Sequence, residues 1–77
     1  MSYDRKRIYK YMSASLAVYE IRGNLIFKSM SASQPEYEIR GNYIYKYMHA
    51  SQPEFEIRSG RYIHKYMQAS HAIFEIK

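Results

Sequence analysis

The chain contains no cysteine. Disulfide staples and thiolate metal sites are thereby excluded, and nothing about redox compartment can be inferred. Long apolar runs are missing as well. No stretch approaches the roughly 18 residues of a membrane-crossing helix, and the strand-like segments hold about five residues against roughly 9–11 for a membrane barrel strand. The first residues, MSYDRKR, run into Ile-Tyr-Lys-Tyr rather than an apolar stretch, so no secretory signal is expected. The expectation is a soluble, cytoplasmic protein.

Residues for catalysis are also scarce. Asp4 is the only aspartate, and His49, His64 and His71 occupy non-equivalent places. Acyl or proton transfer needs a nucleophile, a base and an orienting group held together, and no such set recurs along the chain. No two histidines have a usual metal-ligand spacing either. The sequence therefore reads as non-enzymatic, with no catalytic, cofactor or metal site.

Acidic residues number seven against twelve basic ones, a net charge of +5. Arg5, Lys6 and Arg7 concentrate part of that excess before the first strand-like segment, with Asp4 beside them. The remainder is mildly basic, short of the concentrated stripe of a committed nucleic-acid binder.

What the chain does have is repetition. RIYKYMSASLAVYEIRGN (residues 7–24) is followed by LIFKSMSASQPEYEIRGN (25–42), YIYKYMHASQPEFEIRSG (43–60) and RYIHKYMQASHAIFEIK (61–77). Residues 1–6 have no counterpart and read as a flexible basic arm. With 77 residues there is one domain, and a chain this short buries only about 60% of its unfolded surface, so it often leans on oligomerisation.

Each repeat holds two short segments rich in Ile, Tyr and Phe. The first is Ile-x-Lys-x-Met (Ile8–Met12, Ile26–Met30, Ile44–Met48, Ile63–Met67). The second is an aromatic followed by Glu-Ile (Tyr19–Ile21, Tyr37–Ile39, Phe55–Ile57, Phe74–Ile76). β-Branched and aromatic residues in runs this short predict strands. Gly23-Asn24 and Gly41-Asn42 suit two-residue type II′ turns, and Ser59-Gly60-Arg61 adds one residue that a bulge can absorb. Pro35 and Pro53 are placed at the first residue of a strand, where a missing donor is tolerated.

Those turns pair Ile21 with Ile26 and Tyr19 with Lys28, and paired residues share a sheet face. One face then collects Ile8, Lys10, Met12, Tyr19 and Ile21 with their equivalents, and this face is assigned to the core. The other collects Tyr9, Tyr11, Glu20 and Arg22 with theirs. A one-residue slip would instead pair Lys10 with Glu20 in every copy, but it would turn half the apolar set to solvent.

Eight strands in up-and-down order admit an open sheet, a closed ring of four hairpins or a stacked solenoid, and the open sheet would leave two bare edges. Stacking four lysines about 4.8 Å apart costs roughly 3 kcal/mol per contact, which favours the ring. The expected fold is all-β: an eight-stranded antiparallel meander of four 18-residue hairpin repeats, closed with pseudo-four-fold symmetry. Over Arg7–Lys77 the I-x-K-Y-M…Y-E-I-R-G-N pattern resembles small bacterial hairpin-repeat proteins of the four-fold "β-flower" kind. The resemblance implies the same closed ring and brings no catalytic residue. The extra residue at Ser59-Gly60-Arg61 departs from a regular repeat.

Two functional expectations follow. The first is a structural or interaction module that self-associates through an aromatic face made by Tyr9, Tyr11, Phe27, Tyr45, Tyr47 and Tyr66, giving a homo-oligomer or a complex with another protein. The second is an anion- or single-stranded nucleic-acid-binding module using Lys10, Lys28, Lys46 and Lys65 with the basic arm. Glu20, Glu38, Glu56 and Glu75 interrupt the aromatic face and would repel phosphate.

Overall fold

In the computed structural model, which describes residues 3–12, 16–30, 34–48, 52–68 and 71–77, eight short strands close into a single antiparallel barrel. They are β1 (Arg7–Lys10), β2 (Tyr19–Arg22), β3 (Leu25–Lys28), β4 (Tyr37–Arg40), β5 (Tyr43–Lys46), β6 (Phe55–Arg58), β7 (Tyr62–Lys65) and β8 (Phe74–Ile76). Every strand pairs with its neighbours in sequence, and β8 returns to β1. Strands of four residues span only about 13 Å, so the ring is broad and shallow, 32 × 31 × 20 Å. No solenoid stacking occurs among these strands.

The register is the one the Gly-Asn turns imply. Ile21 pairs with Ile26, Ile39 with Ile44, Ile57 with Ile63, and across the closing seam Ile8 with Ile76. Within the first repeat Arg7 pairs with Glu20 and Ile8 with Tyr19, so the slipped Lys10–Glu20 pairing is absent. Gly23 and Gly41 hold φ of 63° and 61°, the first-position geometry of a type II′ turn that a side chain resists. At the third junction Ser59 and Gly60 both turn left-handed (φ 59° and 63°), and the Arg61 N–H closes onto the Arg58 carbonyl. Arg58 then pairs with Tyr62, leaving Arg61 as the bulged residue.

Among the described residues the core consists of eight of the nine isoleucines, all but Ile73, each at most 6% exposed. Burying one such side chain is worth about 1.5–3 kcal/mol, so this layer holds most of what a small ring can gain. Above it, towards the long connections within repeats, sit Tyr19, Tyr37, Phe55 and Phe74. Their ring centroids form a closed square with sides of 6.0, 5.7, 6.1 and 5.9 Å, each contact edge-to-face at 78–81°. Edge-to-face contacts of this kind add stability beyond area alone.

Several expectations are corrected. The first segment of each repeat ends as a strand at the lysine, not at the methionine. Met12, Met30, Met48 and Met67 turn out of the sheet at φ of 63–66° and are 80–95% exposed, so they leave the core face. The lysines keep the core-facing register but lie exposed at its outer edge, because four ammonium groups cannot be buried together. Pro35 and Pro53 precede β4 and β6 by two residues instead of opening them.

The basic arm makes contacts from Tyr3 onward that a free tail would lack. Tyr3 packs against the isoleucine cluster, the Arg5 N–H donates to the Ile21 carbonyl at 2.9 Å, and the Gly23 N–H donates to Asp4 Oδ1 at 2.7 Å. The Tyr3 hydroxyl reaches the Gly60 turn as well. The arm therefore crosses the turn end of the barrel from one junction to another. The Ser-Ala-Ser linkers and His49 lie outside the described residues.

Candidate functional site

The outer face is built by the residues that alternate with the core isoleucines. Glu20, Glu38 and Glu56 each receive the arginine two residues on: Arg22 at 3.1 Å, Arg40 at 3.2 Å and Arg58 at 3.4 Å. The fourth repeat has Lys77 where the others have arginine, and there the bulged Arg61 supplies the guanidinium, 2.7 Å from Glu75. Glu75 is only 8% exposed, so the inserted residue satisfies a buried carboxylate.

Cations also cover three of the six aromatics expected to form an interface, Tyr9, Phe27 and Tyr45, and with them Tyr62. Arg22 lies 4.8 Å from the Phe27 ring centroid, Arg40 4.9 Å from Tyr45, Arg61 5.6 Å from Tyr62 and Lys77 5.5 Å from Tyr9. Tyr11 packs edge-on against Tyr62 and Tyr66 against Tyr43. Tyr9, Phe27, Tyr45, Tyr47 and Tyr66 end half-buried, and of the six only Tyr11 is exposed. Tyr43, which the sequence did not single out, is exposed to the same degree.

A second departure from the four-fold pattern on this face leaves a gap. The column Tyr11, Ser29, Tyr47, Tyr66 meets the column Arg7, Leu25, Tyr43, Tyr62 of the preceding repeat, as the Tyr11–Tyr62 and Tyr66–Tyr43 contacts show. In the second repeat this meeting is between Ser29 and Arg7. A groove of about 570 Å³ opens there, lined by Arg7, Tyr9, Leu16, Ala17, Glu20, Ser29 and Met30. A smaller hollow, lined by Arg5, Lys6, Arg7, Glu20, Ile21 and Arg22, adjoins it and shares Arg7 and Glu20. The sequence shows Ser29 only as a drift from tyrosine; aligning both columns across the repeats would have marked the gap.

Lys10, Lys28, Lys46 and Lys65 end β1, β3, β5 and β7, opposite Phe74, Tyr19, Tyr37 and Phe55. The register therefore brings all four to the rim of the aromatic square. Among the described residues none of them forms an ion pair, whereas Arg22, Arg40, Arg58 and Arg61 on the outer face do. Within the square, Tyr37 has its pKa raised: burial first, then Tyr19, Glu54, a hydrogen bond shared with the Tyr19 hydroxyl, and Glu36.

Among the described residues no three histidines, aspartates or glutamates gather as a metal ion would require. His64 and His71 stand on different elements, at the middle of β7 and before β8. Compared with protein-family models, characterised proteins and solved structures, the chain matches none.

Proposed function

We propose that the protein is a non-enzymatic interaction module that takes an acidic, partly apolar segment of another protein into the groove between its first and second repeats. The observation that carries this reading is the gap left where Ser29 and Arg7 replace the larger pair of the other repeats. Its volume, about 570 Å³, is that of an ordinary ligand cleft. Arg5, Lys6, Arg7 and Arg22 give it and the adjoining hollow a positive lining, against Glu20 and nearby Asp4. Tyr9, Leu16 and Met30 supply apolar contact, and arginine, tyrosine and methionine are the residues enriched at protein interfaces.

Single-stranded nucleic acid fits less well. It needs free aromatic faces for stacking, and Tyr9, Phe27 and Tyr45 lie beneath cations. Self-association through the outer face remains a second reading. Its support is Tyr11 and Tyr43, still 39% and 38% exposed. The closed ring of four hairpins also supports the β-flower resemblance.

The double substitution Ser29→Tyr with Arg7→Leu tests the first reading, because both new residues already occupy the equivalent places in other repeats. Fluorescence anisotropy with a Glu-rich peptide carrying a leucine should show binding that this variant loses by about ten-fold or more. Unchanged binding would overturn the proposal. Light scattering at low and high salt addresses the second reading, since a salt-insensitive dimer weakened by Tyr43→Glu would favour it.

A further inference from the structure

We propose that the axial pocket at the loop end of the barrel is a second binding site, for a small anion whose apolar body is about the size of a benzene ring. The pocket has a volume of about 150 Å³ and is lined, among the described residues, by Ile8, Ile26, Ile44 and Ile63 below and Tyr19, Tyr37, Phe55 and Phe74 above. It lies on the pseudo-four-fold axis, so all four repeats contribute equally, and it is distinct from the groove on the outer face.

Volume sets the size of the guest. An apolar cavity of about 150 Å³ stays dry and accepts benzene, because too few polar groups are present to hold water. Among the described residues the lining offers only the Tyr19 and Tyr37 hydroxyls as polar groups. Water in this pocket is poorly held, and displacing it with an apolar body is favourable.

Charge sets the head group. The four lysines flank the mouth through their cross-strand pairing with the four aromatic rings. Glu36 and Glu54 are near enough to Tyr37 to raise its pKa, so among the described residues the four lysines outnumber the carboxylates on this side of the ring. A square of aromatic faces alone would suit a quaternary ammonium group. The lysines repel such a cation and attract a carboxylate or sulfonate instead. At the other end, Tyr3 packs against the isoleucines, so a guest enters from the loop side.

The test uses benzoate, benzyl alcohol and benzylammonium, three probes with one apolar body and three charges. Methyl NMR of the intact chain reads the shifts of Ile8, Ile26, Ile44 and Ile63. Benzoate should shift these methyls saturably, about ten-fold more tightly than benzylammonium, and added salt should narrow that gap. Replacing Lys10, Lys28, Lys46 and Lys65 together by Gln should bring benzoate to the level of benzyl alcohol. These side chains are exposed, so the fold survives the change. Failure of all three probes to move the four methyls would overturn the site, and tighter binding of benzylammonium would overturn the choice of anion. Acetate, with charge but no ring, should leave the methyls unmoved.

Discussion

Arg7 and Lys77 exchange two backbone hydrogen bonds, at 3.0 and 2.9 Å, in the place where every other junction of this kind carries a covalent turn. Their strands continue the same register, with Ile8 opposite Ile76, Tyr9 opposite Glu75 and Lys10 opposite Phe74. The seam between the first and last strands is therefore equivalent to β2–β3 in all but chain connection. Joining Lys77 to Arg7 through Gly-Asn and opening the chain at Gly41-Asn42 should yield a folded permutant. Circular dichroism and a urea midpoint close to that of the parent chain would be the expected result. The permutant also lacks residues 1–6, so any shortfall measures what the arm contributes.

That contribution is itself a prediction. Tyr3 packs on the isoleucine core, and Asp4 holds the Gly23 turn. Tyr3→Ser should cost about 1–3 kcal/mol, since it removes a half-buried aromatic from an end of the core. Urea denaturation measures this. A loss below about 0.5 kcal/mol would mean that the contact is cosmetic.

Much of this arrangement was legible in the repeats and part of it was not. Eight isoleucines at fixed spacing, with glycine at two turns, determine strand pairing because a slip would expose them. The solvent-facing end of each first strand obeys no such constraint. Met12 and its equivalents continue the apolar alternation, yet the backbone turns left-handed there, and a period of two cannot signal a change of φ. Tyr3 was illegible because it has no copy to compare with. The groove at Ser29 was hidden for another reason: it depends on two columns from different repeats meeting in space. The cations over Phe27 and Tyr45 were likewise present in the sequence, but a reading by faces did not say that Arg22 and Arg40 would cover the rings they accompany.

Arg61 and Glu75 give a prediction that the other repeats calibrate. Arg61 is the bulged residue and Glu75 is buried beneath it, whereas Glu20, Glu38 and Glu56 remain partly open. Arg61→Ala strands a buried carboxylate and should cost about 1–3 kcal/mol. Arg22→Ala removes an exposed pair and should cost under about 1 kcal/mol. Chemical denaturation of the two variants at neutral pH compares them directly, and equal losses would refute the assigned difference.

Tyr37 sets an alkaline limit. Its pKa lies above the ordinary 10.0, chiefly because burial disfavours the phenolate. In the unfolded chain the same group ionises near 10, so the native state binds this proton more tightly. Its contribution is then fully present below about pH 10 and is lost as pH rises through the raised native value. Tyr37→Phe, the residue used at this position in the third and fourth repeats, should flatten the fall in stability above pH 10. Urea midpoints measured from pH 8 to 11 follow the effect, and parallel curves for both proteins would contradict it.

The four methionines combine two costs that a purely structural residue would avoid. Each is 80–95% exposed, and each holds a left-handed backbone that costs an L-residue about 1–2 kcal/mol relative to glycine. Strain kept at an exposed apolar position points to use rather than to stability. Met30 lines the groove beside Ser29, whereas Met12 does not. Met12→Gly and Met30→Gly should therefore both raise stability, each by up to about 1 kcal/mol, because glycine accepts this φ freely. Only Met30→Gly should weaken binding of the acidic peptide. Thermal melts and anisotropy on the same two variants separate the effects. Equal loss of binding in both would move the interaction from the groove to the whole methionine-bearing end, and loss in neither would leave Met30 without a part in recognition.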